Sequence, residues 1–336
     1  MTLKRNLVGL ALGLSLVAMQ GVTSVTGVAR AATALPQLVL DHRIGVDAAE
    51  RWDYAAYDST LDRVFVTLGD HVSVVDARSE KIVGRIDGLS GTHGVAFAPK
   101  AGLGFISNGK SNLLTTFDLK TLAVLRTTPV EGDNPDAVLY DEGSGKVYTF
   151  NGKSRNVSAI DPATGKVTAH LAVPGKPEFV AANGKFIYLN IEDIHHLVVI
   201  DTATFTIVRD FDLPDCKEPT GLDFDAQHQR VFSVCGNGRL IVTAPQDGRI
   251  VATVAIGEGA DAVVYDASRG MILSTNGHSG TVSVVEQTDA DHYTLAQTVT
   301  TAPKARTLAY RSASAQLFIP LPGKTQFELL VVEPKK

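Results

Sequence analysis

The sequence has little sulfur, little charge and almost no tryptophan. Its 336 residues include two cysteines, three methionines and one tryptophan, and only 20% of them are charged. Low charge combined with 44% hydrophobic residues excludes a long disordered chain. A formal net charge of −5 argues against a protein that mainly coats nucleic acid or anionic membrane. Beyond residue 31 the only methionine is Met271, which excludes a Met-rich copper site there.

Several signature motifs are also missing. No C-x-x-C-H occurs, which excludes covalently attached c-type haem. The absence of G-x-S-x-G and P-loop signatures removes the usual serine-hydrolase and nucleotide-binding classes. A quinone-cofactor oxidoreductase gains little support from one tryptophan and no paired cysteine motif. Beyond residue 31 no apolar run approaches the ~18 residues of a membrane span, so we expect none there.

The first 31 residues have the pattern of a secretion signal peptide. Lys4 and Arg5 precede an apolar run at 7–19, and Ala29-Arg30-Ala31 fits the A-x-A cleavage pattern. The run is shorter than the ~20 residues of a transmembrane helix, although an uncleaved anchor is the alternative. We therefore predict a periplasmic or secreted protein in which residues 32–336 form one domain. That domain has 28 basic and 36 acidic side chains, a net charge of −8.

A repeat of about 42 residues runs through this domain. Each copy has an anchor residue that closes one apolar run, and in the six clear copies a second run begins seven residues later. The anchors are Tyr57, Phe97, Tyr140, Phe224, Tyr265 and Tyr310, and a shortened copy lies at 180–188. A third run ends on an acid at Asp76, Asp118, Asp161, Asp201 and Glu286, and a fourth run follows. We interpret these acids as turn-forming residues that bond nearby backbone.

Period-2 alternation and Gly/Asn/Asp turns predict that the runs are antiparallel strands. Four strands in ~42 residues is the spacing of a propeller blade. The prediction is an all-β, seven-bladed β-propeller of four-stranded antiparallel blades. After the run at 327–333 the last unit has no room for a fourth strand, whereas residues 38–44 have the pattern of an unattached one. We therefore predict that an N-terminal strand closes the ring in the last blade.

A family resemblance lies in the second and third runs. VYTFNG (147–152) with NVSAID (156–161), and MILSTNG (271–277) with TVSVVE (281–286), resemble the YVTN repeat of YncE-like periplasmic propellers. The resemblance covers residues 38–333, and the fifth unit departs most, with Cys235-Gly236 in place of Asn-Gly. It implies the fold strongly and the function weakly, because related propellers include binders, lactonases and cofactor-bearing enzymes.

A column of polar residues lies four positions before the anchors, where each innermost strand begins. Its members are Asp53, His93, Asp136, Glu178, Thr220, Asp261 and Arg306. Because innermost strands surround the channel, we expect these side chains to converge at the channel mouth. Converging carboxylates have raised pKa values, are neutralised by Arg306, or bind a cation.

The column suggests a divalent cation site as one interpretation. Oxygen ligands with one imidazole suit Ca²⁺, Mg²⁺ or Mn²⁺ better than a closed zinc site. The candidate ligands are Asp53, His93, Asp136, Glu178 and Asp261. The alternative is that these residues only hydrate the mouth and satisfy loop backbone. Trp52 either covers the mouth as a stacking surface or packs between two blades.

The loops between second and third strands are expected on the same face and are basic. They contain Lys110, Lys153, His195, His196, Arg239, His278 and Lys324. A basic ring suits a small anionic ligand or a partner protein, with single-stranded nucleic acid a weaker candidate and solvated loop tips the alternative. His195 and His196 are adjacent, so on a strand they would point to opposite faces and could not chelate one metal.

The two cysteines are expected to pair. Cys216 lies just before the first strand of the fifth blade and Cys235 at the end of its second strand, which are neighbouring points in a hairpin. An oxidising compartment allows a disulfide there.

The sequence thus predicts a monomeric, exported propeller that binds a ligand or protein through its channel-mouth face. The alternative function is a metal-dependent, lactonase-like hydrolase with a divalent cation at the mouth. We favour the binding function over the enzyme, and the ligand is not identified by the sequence.

Overall fold

A computed structural model describes residues 34–47 and 51–336, and these form seven four-stranded antiparallel sheets arranged as the blades of a propeller. The prediction of an all-β, seven-bladed propeller is confirmed. The predicted signal peptide, residues 1–31, lies outside the described residues. Helix in the described part is limited to the 3-10 turn Pro99–Ala101, and none of it is long and apolar enough to cross a bilayer.

The first three blades each use four consecutive strands, numbered from the channel outwards. Blade 1 contains β2 (Ala55–Asp58), β3 (Arg63–Thr67), β4 (Val72–Asp76) and β5 (Lys81–Ile86). Blade 2 contains β6 (Thr92–Ala98), β7 (Leu103–Asn108), β8 (Leu113–Asp118) and β9 (Val124–Pro129). Blade 3 contains β10 (Pro135–Asp141), β11 (Lys146–Asn151), β12 (Asn156–Ile160) and β13 (Val167–Ala172).

Blades 4 to 6 follow the same order. Blade 4 contains β14 (Pro177–Ala182), β15 (Phe186–Ile191), β16 (His196–Asp201) and β17 (Thr206–Asp212). Blade 5 contains β18 (Pro219–Asp225), β19 (Arg230–Cys235), β20 (Arg239–Ala244) and β21 (Arg249–Ala255). Blade 6 contains β22 (Ala260–Asp266), β23 (Met271–Asn276), β24 (Thr281–Gln287) and β25 (Tyr293–Thr300).

Blade 7 closes the ring with strands from both ends of the described chain. Its inner strands are β26 (Ala309–Arg311), β27 (Gln316–Pro322) and β28 (Phe327–Pro334), and its outer strand is β1 (Leu38–Gly45). β1 runs antiparallel to β28, with Leu38 opposite Pro334 and Gly45 opposite Glu328. The predicted closure by an N-terminal strand is therefore confirmed.

The aromatic anchors join neighbouring blades. Each of four anchors meets the ring of a second-strand residue in the preceding blade, at centroid distances between 4.7 and 6.2 Å. Such pairs add to the area term of burial, so the repeated anchor is a blade-stacking device. The pairs are Phe97 with Phe65, Tyr140 with Phe105, Phe224 with Tyr188, and Tyr265 with Phe232.

Aspartates form the turns of the repeat, as the sequence suggested. The Oδ1 atom of Asp161 accepts a hydrogen bond from the backbone N–H of Thr164 at 2.7 Å, and this bond lowers the pKa of Asp161. The acids at the same position in blades 1, 2 and 4 make the equivalent bond at 2.6–2.9 Å: Asp76, Asp118 and Asp201. No equivalent turn bond is found for Glu286 among the described residues.

The predicted disulfide is confirmed. Cys216 and Cys235 are bonded, with their Cα atoms 5.3 Å apart and a separation of 19 in the sequence. Both residues are buried beside Leu213 and Leu222 in the core between blades 4 and 5. The bond thus ties the segment that leads into β18 to the end of β19.

Candidate functional site at the channel mouth

The repeat places the column residues at one level around the channel. Five of them are the second residues of their innermost strands: His93 in β6, Asp136 in β10, Glu178 in β14, Thr220 in β18 and Asp261 in β22. Asp53 lies two residues before β2, and Arg306 lies three residues before β26. Side chains from neighbouring blades therefore meet at this level.

Arg306 joins three blades at the mouth. Its guanidinium donates to Asp53 Oδ1 at 3.0 Å and to Asp261 Oδ2 at 2.9 Å, so it links blade 7 to blades 1 and 6. Burial raises the pKa of Asp261 to about 6, and the charges of Asp53 and Asp136 add to this while Arg306 opposes it. The arginine thus compensates part of the converging negative charge.

His93 makes the matching connection on the other side. Its Nδ1 atom is hydrogen-bonded to Asp53 Oδ2 and lies 3.4 Å from Asp136 Oδ1. Burial acts to lower the pKa of His93, but the bond to Asp53 and the charge of Asp136 raise it above its usual value. Burial raises the pKa of Asp136 to about 6 against the opposing charge of His93. These three residues form a bridge across blades 1 to 3.

A third basic residue at the mouth, Lys176, could not be recognised from the sequence. Its Nζ atom lies 3.0 Å from Glu178 Oε2 and also contacts Glu192 Oε2. Burial, and then the charge of Asp136, raise the pKa of Glu178 well above its usual value. The repeat contained a signal for this pair, because Glu192 occupies the position where blades 2 and 3 have the glycine of Asn-Gly.

The two remaining predicted mouth residues have structural contacts. Thr220 is buried, and its hydroxyl donates to the backbone oxygen of Ala260 at 2.8 Å, which ties blade 5 to blade 6. The Trp52 ring packs on Phe327 with centroids 5.4 Å apart. The Arg306 guanidinium lies 5.7 Å from the Trp52 ring centre. Trp52 therefore packs against blade 7 and also lies beside Arg306 in the wall of the mouth.

Two aromatic rings meet beside the column residues. Tyr54 follows Asp53 and Phe179 follows Glu178, and their rings lie 5.5 Å apart although they come from blades 1 and 4. Because these blades stand on opposite sides of the axis, the contact crosses the channel. The mouth is therefore a cup in which these two rings meet.

The predicted basic ring is uneven. Lys110 lines a cleft between blades 1 and 2, and His278 lines a cavity at the mouth, whereas Lys153, Arg239 and Lys324 line neither of these two cavities. Within the described residues none of these four Lys or Arg side chains has a carboxylate partner.

The histidine pair of the ring does not act as a unit. His195 has a left-handed backbone (φ 62°) and precedes β16, so only His196 is in the strand. His196 Nδ1 bonds Asp210 at 2.6 Å, whereas His195 Nδ1 accepts the Glu218 backbone N–H at 3.4 Å. The two rings are thus committed to different partners.

The mouth holds a cavity of about 310 Å³. It is lined by Trp52, Glu192, Glu218, Thr220, Gly236, Gly259, Ala260, Asp261, Gly277, His278, Lys304 and Arg306. The three glycines among them add no side chain to the wall. At Gly277 there is no room for one, because a Cβ there would lie 2.8 Å from the Cβ of Arg306. We call this cavity the mouth pocket.

A potential metal-ligand set overlaps the column. Asp53, His93 and Asp136 each offer one donor atom, and these three atoms lie within 4.8 Å of one another. The other two predicted ligands are engaged elsewhere, Glu178 with Lys176 and Asp261 with Arg306. Both oxygens of Asp53 also have partners, Arg306 and His93, so a metal would have to replace one of them.

Comparison with known proteins shows the fold and no family. No family model and no curated protein matches the chain. Among solved structures the chain is similar to hydrazine synthase from Kuenenia stuttgartiensis, with a TM-score of 0.73 and 13% sequence identity. The match covers 86% of this chain and 97% of that one. At this identity the likeness concerns the propeller architecture alone.

Proposed function

We propose that this protein is an exported β-propeller that binds a ligand or a partner protein through its channel-mouth face. The observation that carries the proposal is the convergence of ionisable side chains from six blades on one cup. Burying and pairing so many charges costs stability, and such costs are concentrated at functional sites. The mouth pocket of about 310 Å³ is within the usual range of ligand sites, roughly 300–1,000 Å³.

The export part of the proposal has separate support. The Cys216–Cys235 disulfide is typical of proteins in oxidising compartments. The leader pattern of residues 1–31 and the resemblance to periplasmic YVTN propellers point the same way. Fractionation of cells that express the full chain tests this, since a cytoplasmic, reduced protein would contradict it.

The single tryptophan provides a direct test of binding at the mouth. Because Trp52 is the only tryptophan in the sequence and lines the mouth pocket, its fluorescence reports on that site without background. We expect a saturable change with one class among organic amines, carboxylates, phosphates and single-stranded oligonucleotides. The Arg306→Gln variant should alter that response, whereas Arg269→Gln, which pairs with Asp266 at the opposite end of blade 6, should not.

A protein partner is tested by photocrosslinking. A photoreactive side chain at His278 labels the mouth face, and the same group at Ser312 labels the opposite face. The proposal predicts a defined partner captured only from His278. Equal capture from both positions, together with no saturable change in Trp52 fluorescence, would refute the binding function.

The second candidate function is a metal-dependent, lactonase-like hydrolase. The observation that favours it is the grouping of Asp53, His93 and Asp136, which could hold a divalent cation. Such an ion polarises a carbonyl and activates water. Asp261, whose pKa is raised by burial to about 6, could then exchange protons near neutral pH, and burial also raises the pKa of Glu178.

Calorimetric titration with Ca²⁺, Mg²⁺ and Mn²⁺ tests this candidate. Asp136→Asn should weaken metal binding by about tenfold or more, since it removes one of three ligands, whereas Asp261→Asn should leave it within about twofold. Hydrolysis of γ-butyrolactone should follow the bound metal. The absence of metal binding at millimolar concentration would reject the hydrolase.

A further inference from the structure

A second cavity opens on the mouth face between blades 1 and 2. This blade 1–2 cleft has a volume of about 530 Å³, and its walls include the β3–β4 loop and the segment that connects β5 to β6. Two backbone bonds join those walls, from Leu89 N–H to Asp70 O at 3.1 Å and from Thr92 N–H to Gly69 O at 2.9 Å. The walls are thus held at a fixed separation.

Two basic side chains, Arg51 and Lys110, line this cleft. Among the described residues neither Arg51 nor Lys110 forms an ion pair, although both line the cavity. The three basic side chains at the axis differ, because Arg306, Lys176 and His93 each lie against two carboxylates. Two unpaired cations beside one cavity leave positive charge that an anionic group can neutralise.

Glycines place the two cations against the walls. Gly69 and Gly91 both have left-handed backbones, with φ of 82° and 67°. A Cβ on Gly91 would lie 2.7 Å from Lys110 Cγ, and one on Gly69 would lie 3.4 Å from the Cβ of Arg51. The side chains of Arg51 and Lys110 therefore pack against Gly69 and Gly91, where the positive φ would strain any other residue. At Gly91 a Cβ would also collide with Lys110.

The rest of the cleft is partly apolar and holds acid–base contacts, with Asp47 Oδ2 lying 3.7 Å from Arg85 and 3.8 Å from His71. Arg85 bonds Asp87 at 2.5 Å, and His71 bonds Asp70 at 2.5 Å. The cleft is also lined by Leu68 and Leu89. The cavity thus combines two basic side chains, Arg51 and Lys110, with an apolar lining at Leu68 and Leu89. Arg51 is near enough to His93 that its charge acts to lower the pKa of that imidazole.

We propose that the blade 1–2 cleft binds the carboxylate or phosphate group of a small molecule between Arg51 and Lys110, with the apolar part of that molecule against Leu68 and Leu89. The proposal rests on the proposed function, because it assigns a ligand class to the same binding face. Guanidinium and ammonium donors form charge-assisted bonds to both kinds of anion, which is why either group fits. The cavity is large enough for a small organic acid.

Calorimetric or NMR titration with defined probes tests the site. The probes are hexanoate, phenyl phosphate, inorganic phosphate and the neutral hexanamide. We expect saturable binding of the two organic anions and none of hexanamide. Inorganic phosphate separates the two sources of the anion: if it binds as tightly as phenyl phosphate, the site holds a free ion and the organic part of the proposal is wrong.

The chain supplies a matched control for Lys110. Lys153 follows the same Asn-Gly pair in blade 3, but it does not line the cleft. We expect Lys110→Gln and Arg51→Gln each to weaken anion binding by about tenfold, and Lys153→Gln to change it less than about twofold. Equal losses in all three variants would show diffuse attraction, and no binding of any organic anion to the wild type would also overturn the site.

The readouts separate this proposal from the broader one. Loss of the cleft site with a retained Trp52 response to another ligand class leaves the mouth-face function intact. Melting temperatures of the variants show whether they fold, and Gly91→Ala gives a second route to the site. Its new Cβ should displace Lys110 and weaken probe binding without removing a charge. Unchanged binding in Gly91→Ala, with changed binding in Lys153→Gln, would contradict the assigned position.

Discussion

Asp261 should make the stability of the protein depend on pH in an unusual direction. Burial raises its pKa from 3.8 to about 6, and its side chain is only 18% exposed. A carboxyl with a raised pKa in the folded state binds its proton more tightly when folded than when unfolded. Stability is therefore highest below the unfolded pKa and is lost as pH rises through the folded one.

The expected size of this effect follows from the difference between the two pKa values. One pKa unit corresponds to ~1.4 kcal/mol, so Asp261 costs the folded state about 3 kcal/mol at pH 7.5. Asp261→Asn keeps an oxygen that accepts from Arg306 and resembles the protonated acid. We expect this variant to be more stable than the wild type by up to about 3 kcal/mol at pH 7.5, and equal to it near pH 4.

Guanidinium chloride unfolding at pH 4, 5, 6 and 7.5 measures this difference, with the disulfide kept oxidised. The control is Asp161→Asn, because backbone N–H bonds lower the pKa of Asp161. Its contribution to stability is present above the unfolded pKa and is lost as pH falls, so that variant should be less stable at neutral pH. If Asp261→Asn is less stable than the wild type at pH 7.5, the reasoning about burial at the mouth is wrong.

Three further expectations concern the fold. Cys216→Ser should lose roughly 3 kcal/mol, since the bond closes a loop of ~20 residues, and the reduced wild type should then match the variant in guanidinium chloride unfolding. Phe232→Ala should lose about 3–5 kcal/mol, because the ring is fully buried and stacks on Tyr265; a loss below about 1 kcal/mol would contradict the stacking role of the anchors. Deletion of residues 34–45 should leave β28 as an open edge, lowering the melting temperature and promoting association seen by light scattering; an unchanged, monomeric protein would refute closure by β1.

The repeat explains why the fold could be predicted from the sequence. Alternation, Asp turns and anchors are local signals, and seven copies of them define the blades without knowledge of distant contacts. The strand missing after residue 333 and the spare strand at 38–44 then determined how the ring closes. The column from Asp53 to Arg306 followed from the same periodicity, because equivalent positions of equivalent strands lie at one level.

Contacts across the mouth were harder to predict. The sequence places Tyr54 and Phe179 in their blades but does not show that their rings reach across the axis. Lys176 was missed because it lies outside the column, two positions before Glu178. The sequence repeat shows that Glu192 stands where other blades have glycine, but only the structure shows that Glu192 contacts Lys176. Loop conformation likewise decides that Lys110 lines a cleft and Lys153 does not.

In blade 7 the order in which the strands are made differs from the order in which they pair. β1 is the first described strand to be made, but its partner β28 is the last, and their pairing closes a loop of about 290 residues. The entropy of closing so long a loop is about 5 kcal/mol for a free chain, against about 2 kcal/mol for a ten-residue hairpin. Folding of the intervening six blades brings the two strands together and removes most of that difference. The ring therefore closes late, and pairing of non-local strands of this kind is a slow step in folding.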